Sequence, residues 1–456
     1  GGDQKGFSMQ VSVEDVSSVK KILHIEIPSE NVIRELDIAY SDIQKNAKIK
    51  GFRPGKVPRS VVERMFKKDI HADVSSKLIQ ESFADAIREK DLKLVGSPKI
   101  TPPEVEPQQS YRYDAEIEVN PQLEDIDFKG LPLKKTLYQV KDEEVALQVE
   151  MLRKNLAKQN RLDEFRPVAE GDLVLIDYEG FKDGKPMPEV QKTENFAMKL
   201  GTGRIAKSFD EQIIGMKPEE SREISVEFPA DHRNPKLAGQ KLQFKVILKE
   251  IREEILPEVN DEFAKNFGKY QTLDELKEDI RKDMQTRYEK RADQEIQEQI
   301  FTALIAKKDF EVPDILVDYE LDGILAEIEG TFQYHNTSAE QLGLTREHLS
   351  AKYRDVAVRQ VKRHLILGKI IEQEKLELPD EELTQAYQDM AQNFGQPIDN
   401  IREYYRGNPD KLEVLKHTLL EKQAIRLITD SAQITTVDSA EAVSPDSSEA
   451  PKEQQE

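Results

Sequence analysis

Cysteine is absent from all 456 residues, which removes disulfide frameworks, zinc knuckles and thiol nucleophiles from consideration. The absence fits a reducing cytoplasm. No stretch approaches the roughly 18 consecutive apolar residues that a membrane-spanning helix needs, and the start lacks the basic then apolar pattern of a secretion signal. No membrane partner is therefore expected, and the protein is expected to stay in the cytoplasm where it is made. No repeat recurs at a fixed period of roughly 20 to 50 residues, which sets a solenoid aside. The seven histidines, His24, His71, His232, His335, His348, His364 and His417, show no HExxH or comparable ligand spacing. Neither a metal site nor a cofactor is implied.

What is present is length and charge. At about one domain per 150 residues the chain has room for about three domains. It carries 88 acidic against 67 basic residues, a formal charge of −21, which disfavours general attraction to nucleic acid or anionic lipid unless a local patch reverses the sign.

Residues 1–8, GGDQKGFS, read as a leader or an expression remnant, with Met9 as the natural start. From 9 to 120 strand and helix patterns mix. KKILHIEI at 20–27 and YRYDAEIEV at 111–119 alternate as half-buried strands, with helices expected at 29–50, 58–68 and 70–90. An α+β domain follows. A proline-marked stretch at 120–132 without periodicity ends it, and 121–162 reads as a linker plus a helix over 142–161. Short strands at 173–180, 222–228 and 241–251, punctuated by Asp183-Gly184, Gly201-Thr202-Gly203 and Gly239, define a β-rich domain over 163–252. Gly201-Thr202-Gly203 lacks the third glycine of a dinucleotide loop and reads as a turn.

From 253 to 434 the helical period returns. Thr272 and Glu275 form a capping box, and helices are expected at 314–333, 346–376, 380–393 and 409–430, with Pro313, Pro379 and Pro409 near their starts. Their length and charge favour extended arms. Leu365, Ile366, Leu367, Ile370 and Ile371 read as core between helices. Residues 431–456 hold six acidic residues, one basic residue and no aromatic. They are expected to be disordered, with the tail proper at 435–456.

The most informative segment is Gly51-Phe52-Arg53-Pro54-Gly55-Lys56-Val57-Pro58. Residues 44–70 carry nine basic and two acidic side chains, a net +7, so the rest of the chain sums to −28. Such a patch can hold an anionic partner while the remaining surface repels nonspecific contact. It is not a nucleotide-binding P-loop, which needs four residues between its glycines and a Ser or Thr after the lysine. Here there are three, then Val57. By itself the segment also reads as a basic surface turn between two helices.

GFRPGKVP closely resembles the ribosome-docking signature of trigger factor, a family of bacterial ribosome-associated chaperones, and the order of segments agrees over most of 9–434. The resemblance implies a multidomain α+β architecture: an N-terminal α+β ribosome-binding domain, an FKBP-like β-rich domain and an extended all-α C-terminal domain. It implies docking near the polypeptide exit tunnel through a ribosomal protein and adjacent rRNA, with Gly51, Phe52, Arg53, Pro54, Gly55, Lys56 and Pro58 as the ribosome-binding residues and Phe52 and Arg53 at the contact. Pro54 stands where many members have a basic residue, so weaker docking is expected. Nascent or unfolded polypeptides are the implied clients, and a homodimer is compatible with the free state.

Prolyl isomerisation crosses a barrier near 18–20 kcal/mol set by amide resonance, and binding the twisted imide in an apolar cradle lowers it without a nucleophile or metal. Carried over from the FKBP pattern, Tyr178, Phe196, Ile205, Phe209 and Phe244 fall where the cradle's walls belong. Met187-Pro188 replaces an aromatic-acid pair, Ala206 an isoleucine, Ser208 a turn glycine and His232 a tyrosine, so weak or absent catalysis on a retained fold is expected. The same aromatics would also serve as the plain core of a small β domain. Two rivals stay open: a free FKBP-type prolyl isomerase with helical substrate-recruiting arms, and a non-enzymatic helical scaffold.

Overall fold

A computed structural model describes residues 8–439; the segment 1–7 and the part of the expected tail from 440 onward lie outside the described residues. The N-terminal pattern folds as β1 (Gln10–Asp15), β2 (Lys20–Ile27), α1 (Ser29–Asn46), α2 (Arg59–Glu89), β3 (Lys99–Ile100) and β4 (Tyr111–Glu118), with antiparallel sheet order β1-β2-β4-β3. Alternation in β2 and β4 turns Leu23, Ile25, Ile27, Tyr111, Tyr113, Ala115 and Ile117 to one face, which α1 and α2 cover with Val32, Leu36, Val62, Ile70, Val74 and Leu78. The two phenols reach buried hydroxyls, Tyr111 with Ser75 (2.5 Å) and Tyr113 with Ser82 (2.6 Å). Burial pushes the Tyr113 phenol up to about 12. The expected helices 58–68 and 70–90 are one helix. Lys67, Lys68 and Asp69 form only its outer face, between Phe66 and Ile70 one turn apart.

The chain continues through β5 (Pro132–Leu137), α3 (Asp142–Asn155), β6 (Lys158–Arg161), β7 (Leu173–Lys182), β8 (Lys185–Pro186), β9 (Thr193–Lys199), α4 (Lys207–Ile213), β10 (Ser221–Glu227), β11 (Lys241–Ile255) and α5 (Asp261–Ala264). Then come α6 (Leu273–Lys307), α7 (Asp314–Tyr334), α8 (Arg346–Gln373), α9 (Asp380–Phe394), α10 (Ile398–Arg406), α11 (Pro409–Ser431) and β12 (Gln433–Asp438). Two compact units result. One joins the chain up to Lys134 with Ile296–Thr435; the other is built on Lys135–Glu295.

In the first unit α7 and α8 pack through Val317, Leu321, Leu325, Leu349, Ala357 and Val361. Glu118 at the end of β4 accepts from the Asp314 and Ile315 amides (2.9 and 3.0 Å), capping α7 from a distant part of the sequence. Lys20 pairs with Asp314 at 2.6 Å and holds its carboxyl below the usual range.

The aperiodic stretch read as the start of a linker is instead a buried strap. Phe128, Leu131 and Leu133 enter a core with Ile296, Ile300 and Phe301 of α6, Ile366, Leu367 and Ile370 of α8, and Ala424 and Ile428 of α11; Ile371 packs at its edge, while Leu365 joins the α7–α8 cluster. Two glutamines act as strand partners for the strap: Gln373 donates to the Ile126 carbonyl (3.0 Å) and accepts from its amide (2.7 Å), and Gln299 does the same for Lys134 (2.8 and 2.8 Å). The expectation of disorder from 431 is corrected up to Asp438, because β12 pairs with β5 through the β-branched run Ile434, Thr435, Thr436, Val437.

In the second unit a six-stranded antiparallel sheet follows the order β10-β11-β7-β8, with β9 beside β7 and β6 beside the far end of β11. The helix expected over 142–161 therefore ends at Asn155, and Lys158–Arg161 are drawn off to extend the sheet along β11. Val149 of α3 packs against Phe263, Ala264 and Leu276.

Candidate functional sites: a basic loop and an aromatic cradle

The loop between α1 and α2 is fixed by its own backbone. Phe52 N donates to Ile49 O (3.1 Å), Lys56 N to Arg53 O (2.9 Å) and Gly55 N to Gln44 O (3.1 Å), while the Gln44 side chain donates to Val57 O (3.0 Å). Gly51 and Gly55 have φ of 94° and 81°, values glycine adopts freely. Pro54 followed by Gly55 gives Arg53–Lys56 the sequence signature of a type II turn. Val57 is buried and anchors the loop's end, whereas residues 51–56 are exposed and Phe52 shows 40% of its surface.

Of the nine basic side chains in 44–70, only Arg59 enters an ion pair among the described residues, with Asp37 (2.6 Å) and Glu63 (2.8 Å). Its guanidinium lies 4.7 Å over the Tyr40 ring. The Tyr40 hydroxyl donates to His71 Nε2 (3.1 Å), whose Nδ1 in turn donates to the Val105 carbonyl (3.0 Å). The loop's exit is thus braced, and eight cations remain without an acidic partner among the described residues.

In the second unit the five sequence-predicted aromatic and aliphatic residues come together. Tyr178 on β7 meets Phe196 on β9 edge to face at 5.3 Å, Phe209 on α4 at 6.1 Å and Phe244 on β11 at 6.2 Å. Ile205, in the turn before α4, packs on the same cluster. Phe209 and Phe244 are wholly buried, while Tyr178, Phe196 and Ile205 keep exposed surface.

The meeting of Tyr178 and Phe196 has a local cause. Pairing of β7 with β9 shifts register between Ile176 and Tyr178. The extra residue is absorbed at Asn195, which takes φ of 55° and donates its amide to Asp177 Oδ1 (2.7 Å). Asp177 is itself held by Lys249 at 3.2 Å.

Three residues that the sequence did not reveal complete the frame. Gly180 lets β7 pass against Val190: a Cβ there would lie 2.2 Å from Val190 Cγ2. Asp210 is buried, and its Oδ2 accepts the amides of Gly201 and Gly203 (2.9 Å each), fixing the turn before Ile205. Arg204 stands 4.7 Å over the Phe196 ring and donates to the Ala197 carbonyl (3.0 Å). Only the Gly201-Thr202-Gly203 turn hinted at any of them.

The four departures from the FKBP pattern have the following surroundings. Ser208 adopts helical backbone in the first turn of α4, so no glycine is needed, and its hydroxyl donates to Glu227 O (3.3 Å). His232, where a tyrosine was expected, meets the Phe228 ring edge to face at 5.1 Å. Met187 packs on the core and Ala206 is buried. Beside the cluster lies an open groove of about 1100 Å³ whose lining includes Ile205, Phe228, Pro229, His232 and Arg233. No group of three or more His, Asp or Glu side chains is placed to hold a metal, and no helix is long and apolar enough to cross a membrane, among the described residues.

The portion that holds this aromatic cluster is of the prolyl isomerase class: residues 165–249 match the family model described as FKBP-type peptidyl-prolyl cis-trans isomerase. The flanking portions match two further models, bacterial trigger factor protein at 9–152 and the bacterial trigger factor C-terminus at 272–430. A trigger factor of Desulfosudis oleivorans is 49% identical over 429 residues, covering 94% of this chain and 97% of that one. Another, of Desulfatibacillum aliphaticivorans, is 46% identical over 431 residues, covering 94% and 98%. The chain belongs to the trigger factor family of chaperones, and its middle portion is an FKBP-type peptidyl-prolyl isomerase domain.

Proposed function

We propose that this chaperone docks on ribosomes near the exit tunnel through the loop 51–58, shelters nascent or unfolded polypeptides with its helical portion, and isomerises prolyl bonds at the Tyr178 cradle. In this division 9–120 docks, 163–252 isomerises and 253–434 meets clients, in the cytoplasm and in part on the ribosome. The observation that carries the docking role is the loop: a backbone-fixed turn presenting Phe52 and Arg53 amid eight cations without acidic partners among the described residues. Unpaired cations give phosphate attraction, and an apolar side chain held at the apex adds a contact that charge alone lacks.

At the cradle Tyr178, Phe196 and Ile205 are the surfaces a prolyl ring can touch, with Phe209 and Phe244 supporting them from beneath. Twisting the imide breaks its resonance and reduces its polarity, so an apolar wall binds the twisted form better than the planar one. Neither proton transfer nor a cofactor is needed. No fixed acid occupies the positions of Met187 and Pro188, and turnover is accordingly modest.

The deciding experiment is co-sedimentation with bacterial ribosomes at modest salt, comparing the intact chain with a folded Phe52→Ala, Arg53→Ala variant. Loss of pelleting in the variant alone supports docking through the loop. Equal behaviour of the two proteins overturns it.

A further inference from the structure

We infer that Arg204 makes the isomerase domain selective for prolyl segments carrying a carboxylate side chain within one residue of the proline. The inference rests on reading the Tyr178 cluster as the prolyl site. Arg204 is exposed, stands 4.7 Å over the ring of Phe196, and donates one terminal nitrogen to the Ala197 carbonyl at 3.0 Å. It makes no ion pair with an acidic side chain among the described residues. Two acids near it in sequence are paired elsewhere: Glu194 with Lys192 (3.4 Å) and Glu211 with Lys207 (4.0 Å).

The turn leading into Arg204 is held in place as well. Asp210 takes both amides of Gly201 and Gly203, so the backbone before Arg204 has little freedom. The contact with the ring and the carbonyl bond then restrict the side chain itself, and its exposure leaves the remaining guanidinium N–H groups open to a ligand. That is the geometry that accepts a carboxylate through two parallel bonds, and little rotamer entropy remains to be lost on binding. Because the ring beneath the guanidinium is one of the three exposed cradle surfaces, a side chain adjacent to a bound proline lies within its reach. Arg204 itself lines the neighbouring groove, whose other charged side chains are Lys207 and Arg233 against Glu211, Glu227 and Asp231, so no surplus of positive charge there duplicates its role. A protein of charge −21 otherwise repels acidic segments, so a single fixed cation at the cradle has a function that the surrounding surface does not duplicate.

The test uses the full chain and matched short peptides in which Glu, Gln or Lys stands immediately before or after the proline. Isomerisation is followed at low salt, and kcat and KM are separated. The expected result is a kcat/KM for a Glu peptide roughly threefold to tenfold above its Gln counterpart, carried by KM, the scale of one partly exposed charge-assisted contact. The preference, read within each protein as the ratio of kcat/KM for the Glu peptide to that for the Gln peptide so that any common change in turnover cancels, should vanish in Arg204→Gln, survive in reduced form in Arg204→Lys, and shrink with added salt. Equal rates for Glu and Gln peptides at both positions, with the Gln peptide still turned over, overturn the inference and leave the cradle assignment intact. Loss of turnover with every peptide in Tyr178→Ala supports the cradle itself; if Tyr178→Ala retains the wild-type rate, the underlying site assignment fails, and the inference with it.

Discussion

Gly180→Ala is the sharpest test of how the cradle is framed. The added Cβ would sit 2.2 Å from Val190 Cγ2, 2.8 Å from Val190 Cβ and 3.1 Å from Phe244 Cε1, against an ordinary carbon contact of roughly 3.5–4.0 Å. Relief requires Val190, buried at 7% exposure, or β7 itself to move by more than an ångström. Overpacking of that kind costs about 1–3 kcal/mol and sometimes more. With two neighbours engaged, we expect about 2–4 kcal/mol. Amide hydrogen exchange in the intact chain reads this locally, as a fall of roughly 30- to 900-fold in protection of β7 and β11. Displacement of Phe244, 6.2 Å from Tyr178, should also lower prolyl isomerase turnover. Val190→Ala added to Gly180→Ala makes room for the new methyl, so the double variant should be more stable than Gly180→Ala, with a coupling energy of about 2 kcal/mol. Unchanged protection in Gly180→Ala, or strictly additive effects in the pair, would refute the argument.

Two further outcomes follow from the first unit. Glu118→Ala leaves the Asp314 and Ile315 amides without their acceptor, and should destabilise the first turns of α7 by about 1–2 kcal/mol, seen as faster exchange there while α2 is unaffected. His364 on α8 lies 2.8 Å from Glu421 of α11 and 3.5 Å from Glu320 of α7, and Glu421 also meets His417 at 3.2 Å. The hydrogen bond to Glu421 raises the His364 pKa above its usual 6.5. Since the folded value exceeds the unfolded one, the stabilisation is complete below about pH 6.5 and is lost as pH rises through the folded value. The wild type should be more stable than His364→Gln at pH 6 by a few tenths of a kcal/mol, because the ring is half exposed, and the gap read by thermal unfolding should close as pH rises.

Features written locally were legible in the sequence. Strands β2 and β4 showed their alternation, and the prolines and glycines of 51–58 declared a fixed turn; Tyr178, Phe196, Ile205, Phe209 and Phe244, which the structure brings together, were named through the resemblance to the FKBP pattern. What was not legible depends on distant partners. Gln299 and Gln373 are ordinary polar residues on helices until the strap lies against them, and the strap has no period because only Phe128, Leu131 and Leu133 need to be buried. Glu118 gains its meaning as a cap from a helix that begins almost two hundred residues later. β12 was hidden by the polar composition around it, and Lys158–Arg161 continue a helical pattern that the free edge of β11 interrupts. Within the cradle, Gly180, Arg204 and Asp210 act through contacts of a backbone already folded, so no motif marks them.

The strap also orders events during the chain's own synthesis. Residues 20–119 bring their own apolar core and can collapse as they emerge, and the whole of Lys135–Glu295 is available before any residue of the second half of the first unit exists. Phe128, Leu131 and Leu133, by contrast, have no cover until α6, α8 and α11 have been made, and closing that gap spans a loop of more than 160 residues between Lys134 and Gln299. During translation this chain therefore carries an uncovered apolar segment for most of its length, the same condition in which any unfinished polypeptide is exposed to aggregation.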